Sequence, residues 1–316
     1  MARRRLLTGD ERRRLFDPPV QETAIIGHYT LSAEDVELVG RRYGPANRLG
    51  LAAQIALMRH PGFGLQPEIG LPDVILQYLA AQLFVDPSSF SAYGQRAQTR
   101  TDHADLVARY LGIRPFRRGD LALALNLAAQ AAEYTDRGEP IVRALMVGLK
   151  GERFILPSGD TLERAGLAGR ARARKAAAAA IVEGLSSAEL TRLDELVINN
   201  PDFGMTPLAW LRNFEEAPTA ANINGLLERL RYVRGIGIHP VVGGAIPEFR
   251  FAQFVREGGV APAFLLSDYS VNRRRATLTA AVIDLEARLA DAAIQMFDRL
   301  IGGMFFVVPL IACSKT

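Results

Sequence analysis

Arginine supplies most of the chemistry this sequence offers. Of its 38 basic residues only Lys150, Lys175 and Lys315 are lysines, which leaves 35 arginines. A guanidinium is a planar fork of donors, better matched to phosphate and to the guanine edge than the point charge of an ammonium. Several arginines fall in tight groups. Arg41, Arg42 and Arg48 flank the break at Gly44-Pro45, and Arg96, Arg100 and His103 follow a corner near residue 85. Arg170, Arg172, Arg174 and Lys175 form "RARARK", and Arg273, Arg274 and Arg275 stand at the entry to the last helical segment. Three cations at a helix N-terminus are unfavourable unless an anion lies near, either a phosphate or an acidic segment. The "RARARK" side chains point around more than one helix face, so a single ligand cannot meet them all and a solvated surface is the simpler account. Residues 1–175 carry a net charge of +6 and the remainder −2. A GC-rich genome would enrich arginine in both halves, so the asymmetry directs attention to a polyanion at the first.

Other chemistry finds little support. His28, His60, His103 and His239 are far apart in sequence, and none has a neighbour at metal-ligand spacing. The glycine-rich "GIGIHPVVGG" (235–244) is neither a phosphate loop nor a dinucleotide fingerprint. No G-x-S-x-G occurs, and the lone Cys313 lies close to the last residue. No cofactor and no metal are expected. A single cysteine and the absence of an apolar leader in "MARRRLLTGDERRRLF" fit a reducing cytoplasm. The longest apolar run, Leu300–Cys313, is fourteen residues broken by two glycines and a proline, too short for a membrane span.

The elements that must position these groups are helices. Ser32 with Asp35 three positions on is a capping box opening one helix, and Gly44-Pro45 ends it. The next helix begins there and stops before Pro61-Gly62. Helices are predicted over 72–84, 88–96, 102–111, 119–135, 140–149, 159–183, 187–198, 219–234 and 275–305, with strands confined to 153–157 and 237–242. Leu278, Val282, Leu285, Leu289, Ala292 and Met296 make a heptad seam, of the kind packed inside its own domain. The fold class is mainly α, divided as 1–150, 151–272, a long helix 273–305 and a tail 306–316.

"LAAQLFVDPSSFSAYGQR" (79–96) has the layout of a helix-turn-helix. Leu79, Ala80 and Leu83 would face inward, Val85 would fill the corner, and Phe90 and Tyr93 would pack back. That leaves Ser88, Ser89, Ser91, Ala92, Gln95 and Arg96 outward on a recognition helix, with Arg100 and His103 placed for phosphates. Phe84 stands where such corners usually carry glycine, and any tight helical corner shares the pattern.

Four stretches in order resemble the large replicative transposases of the Tn-three (class II) family. They are "HYTLSAEDVELVGRRYGPANRLGLAAQIALMRHPG" (28–62), "YLAAQLFVDPSSFSAYGQRAQTRTDH" (78–103), "RFILPSGDTLER" (153–164) and "RRRATLTAAVIDLEARLADAAIQMFDRLIGGMF" (273–305). Tyr43, Pro45 and His60 depart from the family pattern. The resemblance implies a helical region with helix-turn-helix-like elements that binds the terminal inverted repeats in DNA transposition. It implies a ribonuclease-H-like catalytic domain with three metal-binding acids later in such proteins, and no catalytic role for these residues. The ending "FVVPLIACSKT" (306–316) resembles out-of-frame or junction sequence, the mark of a truncated transposase. Self-association through uncovered Met296, Leu300 and Phe305 is expected of such an ending. A helical protein-interaction scaffold with merely compositional arginines is the alternative.

Overall fold

Ten consecutive residues, Leu49–Met58, are buried on every side of one helix, which fixes the centre of the first half of the chain. An all-round apolar helix has to be covered all round. The computed structural model describes residues 5–65, 71–95 and 97–306, with side chains through Gly302. The chain forms two units, Met1–Ala171 and Arg172–Thr316.

In the first unit α1 (Gly9–Phe16), α2 (Glu22–Tyr29) and α3 (Ala33–Gly40) lead into the central α4 (Pro45–Arg59). Then come α5 (Asp73–Leu83), a 3-10 turn (Pro87–Ala92) and α6 (Ala97–Leu111). Strand β1 (Arg114–Pro115), α7 (Leu121–Ala132), α8 (Gly138–Gly151) and β2 (Phe154–Ile155) follow. One cluster joins Ile25, Tyr29, Leu49, Ala53, Leu57, Ile75 and Leu79, and a second joins Val39, Leu51, Ile55, Met58 and Val107. Both draw on α4, whose buried Leu and Ile side chains contribute roughly 1.5–3 kcal/mol each.

The division between the units falls within α9 (Gly159–Glu183), so residues 151–158, which the sequence assigns to the second domain, lie in the first unit. That stretch belongs to the first unit because Phe154 and Ile155 pair in parallel with Arg114 and Pro115. The second expected strand, 237–242, does not form: its last three residues begin a 3-10 turn (Pro240–Ala245), which Pro240 opens without a ladder donor.

The second unit contains α10 (Ser187–Glu195), α11 (Pro207–Arg212), α12 (Ala220–Ile236), α13 (Glu248–Val260), α14 (Ala263–Ser267) and α15 (Val271–Phe306). Its spine is α15, along which α12 and α13 pack. The seam Leu278, Val282, Leu285, Leu289 and Met296 is buried with Leu193, Leu208, Leu226 and Val233, and Ala292 packs at its edge. The expectation that Met296 and Leu300 stand uncovered fails: Met296 is 3% exposed and Leu300 lies against the same cluster. The Phe305 side chain and the tail 307–316 lie outside the described residues. Beside this core Trp210 stacks on Phe203 with ring centroids 4.4 Å apart, meets Tyr232 edge-on, and lies 4.6 Å from the Arg229 guanidinium. No described helix is long and apolar enough to cross a membrane.

Candidate nucleic-acid interface

The corner between α3 and α4 is built from a buried carboxylate outward. Ser32 and Asp35 form the capping box that starts α3. Asp35 is fully buried, and there it also accepts from Arg59 and, at 2.8 Å, from the Tyr110 hydroxyl. Burial by itself would raise the Asp35 pKa. The hydrogen bonds from Arg59, Ser32 and Tyr110, with the Arg59 charge, bring it below the usual value instead. The carboxylate stays ionised and ties α3, α4 and α6 together.

At the far end of α3 the chain turns through Arg41, Arg42 and Tyr43 to Gly44, whose φ of 81° only glycine adopts readily. Pro45 then opens α4 with no side-chain cap and no acid in its first turn. No acid of the helix's own first turn therefore offsets the dipole's positive end. Arg41 pairs with Glu37 at 2.6 Å on the surface, and the Nε of exposed Arg48 donates to the Arg42 carbonyl at 2.9 Å. Tyr43 is 95% exposed. Uncapped amides, two outward guanidinium groups and a bare phenol ring can together hold an anionic, stackable ligand.

The predicted recognition helix 88–96 is not an α-helix. Pro87–Ala92 is a single 3-10 segment, too short to lie along a major groove. Its serines explain this, because their hydroxyls compete for backbone groups. Asp86 caps Ser88 N, Ser89 Oγ donates to the Asp86 carbonyl at 2.7 Å, and Ser91 Oγ donates to the Ser88 carbonyl at 2.8 Å. The inward half of the expectation agrees: Leu79 and Ala80 are buried, Val85 and Phe90 pack on the first cluster, and Tyr93 is 8% exposed. Phe84 takes the left-handed conformation of such a corner (φ 54°) with its ring 97% exposed. Ser88 and Gln95 are exposed, and Ser89 is half-covered. Arg96 lies outside the described residues.

The structure brings the two arginine groups together through Tyr93. Its ring lies against Gly50 of α4, where any Cβ would fall inside the ring. Gln54 Nε2 donates to the Tyr93 hydroxyl at 2.8 Å and to the Arg100 carbonyl at 3.0 Å, and that hydroxyl lies 3.0 Å from His103 Nδ1. His103 is thus a buried network residue, not a surface cation. Burial first, and the Arg42 charge second, push its pKa down and keep it neutral. Arg100 is half-committed as well, its Nη1 donating to the Gly94 carbonyl at 2.6 Å. The Arg42 charge reaches His103, and Arg100 is anchored at Gly94 next to exposed Gln95.

The remaining candidates lie elsewhere. Arg170 Nη1 donates to the Asp136 carbonyl at 3.0 Å within the first unit, whereas Arg174 is exposed on α9 in the second. The cations opening α15 are answered by the protein itself. Arg274 and Arg275 share Asp194 at 3.2 and 2.7 Å, while Arg273 pairs with Glu257 and lies 3.8 Å over the Tyr269 ring. Two single acids from α10 and α13 thus face the cations that the sequence led one to match with a phosphate or an acidic segment. Sequence reasoning missed Tyr43, Gly50, Gln54 and Arg59; only an exposed aromatic between arginines and a polar residue in an apolar run hinted at them. Among the described residues no three His, Cys, Asp or Glu side chains are grouped to hold a metal ion.

A family model described as a domain of unknown function, DUF4158, matches residues 6–168, the first unit nearly entire. The transposase for transposon Tn501 from Pseudomonas aeruginosa is 32% identical over 305 residues, and that for transposon Tn3926 from Escherichia coli is 33% identical over the same length. The transposase for transposon Tn1546 from Enterococcus faecium is 28% identical over 300 residues. Matches to the first two cover 96% of this chain but 31% of each relative, so the chain spans about a third of their length. The order of motifs, the helical fold and the family match agree: the chain belongs to the DUF4158 family, the N-terminal domain of Tn-three (class II) replicative transposases.

Proposed function

We propose that this chain binds double-stranded DNA at the terminal inverted repeats of a transposon, in the cytoplasm, and holds that DNA without cutting it. The observation that carries the reading is the joining of two arginine groups by the Gly50–Tyr93–Gln54–His103 contacts. They tie α4, which carries Arg48, to the segment that carries Gln95 and Arg100, and this supports one DNA-facing surface on the first unit. Arg41, Arg48 and Arg100 serve as phosphate contacts, which set position, and Gln95 and Tyr43 are the groups free to meet base edges. The names of the relatives support the same assignment, since each is a transposase.

The test is a gel shift comparing inverted-repeat duplexes with shuffled duplexes of equal length. The proposal expects the repeat to be preferred, and Gln95→Ala to lower that preference more than overall affinity. Equal binding to both duplexes removes sequence recognition, and no binding to either returns the scaffold reading.

A further inference from the structure

A second group of arginines, of which only Arg153 falls in a stretch quoted above, gathers at the small parallel sheet of the first unit. Strand register sets Arg114 opposite Phe154, and Arg114 N donates to the Arg153 carbonyl at 2.8 Å, so both arginines sit at the sheet's entry. The Arg114 guanidinium lies 3.8 Å over the Phe154 ring, and the residue is exposed. Its Nη1 pairs loosely with Asp120 Oδ1 at 3.5 Å, the other oxygen of that carboxylate accepting from the Arg117 backbone N–H at 2.8 Å. Arg117 and Arg118 follow in the exposed turn into α7, and Arg109 is exposed at the end of α6. Among the described residues Arg118 and Arg153 make no ion pair.

Arg153 has a second peculiarity. It directly follows the C-cap of α8 with φ 63°, a position where glycine is the ordinary choice. A side chain there costs about 1–2 kcal/mol of backbone strain. Nothing in the first unit's packing repays it, since the residue is exposed. What the arginine adds is a charge at the sheet's entry, next to Arg114.

We propose that Arg114, Arg117, Arg118 and Arg153 form a phosphate-binding surface that follows the backbone of duplex DNA without reading its sequence. The proposal rests on the DNA-binding function above and adds a second contact region to it. Clustered, outward guanidinium groups repel one another unless a polyanion faces them, and a duplex supplies phosphates at regular spacing.

The experiment uses the full chain and two probes, a random-sequence duplex and an inverted-repeat duplex, titrated by fluorescence anisotropy over a range of salt. Combining Arg117→Gln, Arg118→Gln and Arg153→Gly should flatten the log–log salt slope by about 2–3 units on both probes. Changing the same three residues to lysine should retain most of the slope. Arg153→Gly alone should flatten it by about one unit while keeping or raising the melting midpoint, which separates the lost charge from any lost fold. An unchanged slope in the triple variant, with Arg48→Ala still weakening binding, overturns this surface and leaves the function standing. No duplex binding by the unaltered chain overturns both. Equal affinity for polyglutamate, lost in the same triple variant, assigns the surface to an acidic protein and overturns the proposal.

Discussion

Two arginine groups, one in each unit, are treated in opposite ways, although the first unit also pairs Arg12, Arg14, Arg59 and Arg143 with acids. In the second, Arg273, Arg274 and Arg275 are held by Glu257 and Asp194, and Arg234 pairs with Glu286. In the first, Arg48, Arg118 and Arg153 stand at the surface with no carboxylate partner among the described residues, and Arg114 leans on an aromatic ring. Net charge conceals this contrast. Divided at Ala171, the units carry +3 and +1, a smaller difference than a division at residue 175 gives. What distinguishes a binding surface is therefore the local balance of partners, since a guanidinium already satisfied by its own fold has little left for a phosphate.

The largest effect should come from breaking the second unit's pairing. Asp194→Ala leaves Arg274 and Arg275 half-covered without an anion, and is expected to cost about 2–4 kcal/mol. Urea denaturation measures this. The salt slope of DNA binding should stay unchanged; if it moves, the entry to α15 belongs to the interface after all.

Next comes Gly50→Ala in the first unit. The added methyl must displace Tyr93, costing about 1–3 kcal/mol, and should separate the α3–α4 corner from Gln95 and Arg100. Preference for repeat over shuffled DNA should then fall further than Arg48→Ala makes it fall. A stable variant with full preference would show that the two groups act independently.

Acid should part the units. Burial, then the His28 and Lys150 charges, depress the His60 pKa from 6.5 to about 4, with the His28 ring stacked 3.7 Å away. The folded first unit resists taking up that proton, so its stability falls as pH drops from 6.5 towards 4 and gains no further loss from this group below that. Asp194 behaves otherwise. Burial would raise its pKa, but Arg275 and Arg274 hold it below 3.8, so its contribution persists until more acid conditions. Thermal melts across this range should show the first unit loosening first, and His60→Gln should reduce that early slope, leaving the share that buried His103 contributes.

The smallest effect concerns the other left-handed side chain. Phe84→Gly relieves the backbone at φ 54° and loses little packing, so stability should be unchanged or rise by up to about 1 kcal/mol. A drop in DNA affinity without a drop in melting midpoint would add the ring to the binding surface.

Local signals were legible where local forces decide. The span of α9, the box at Ser32 and Asp35, and the seam of α15 all followed from caps and apolar spacing. Helix α1 was overlooked although Thr8 and Glu11 form the same kind of box, because its interior is nearly all polar. Helix α13 hid behind the Gly258-Gly259 pair near its end. The serines of the 3-10 turn misled, because composition does not say whether a hydroxyl will bond backwards to its own chain. Partners far apart in sequence could not be read at all: Arg59 meets Asp35, and Asp194 meets Arg274 and Arg275, only once the helices have packed.

Trp210 is the chain's one tryptophan, and it sits in the second unit on a stack with Phe203. Phe203 is held by a loop that the Asn200–Met205 bridge closes. Indole emission therefore reports a single short segment, while the first unit contributes only tyrosine light. Selective excitation of the indole gives a spectroscopic view of one half of the protein with the other half dark. Opening the Asn200–Met205 loop would unstack the ring and shift the emission before the surrounding helices melt, and DNA held by the first unit alone would leave the signal still.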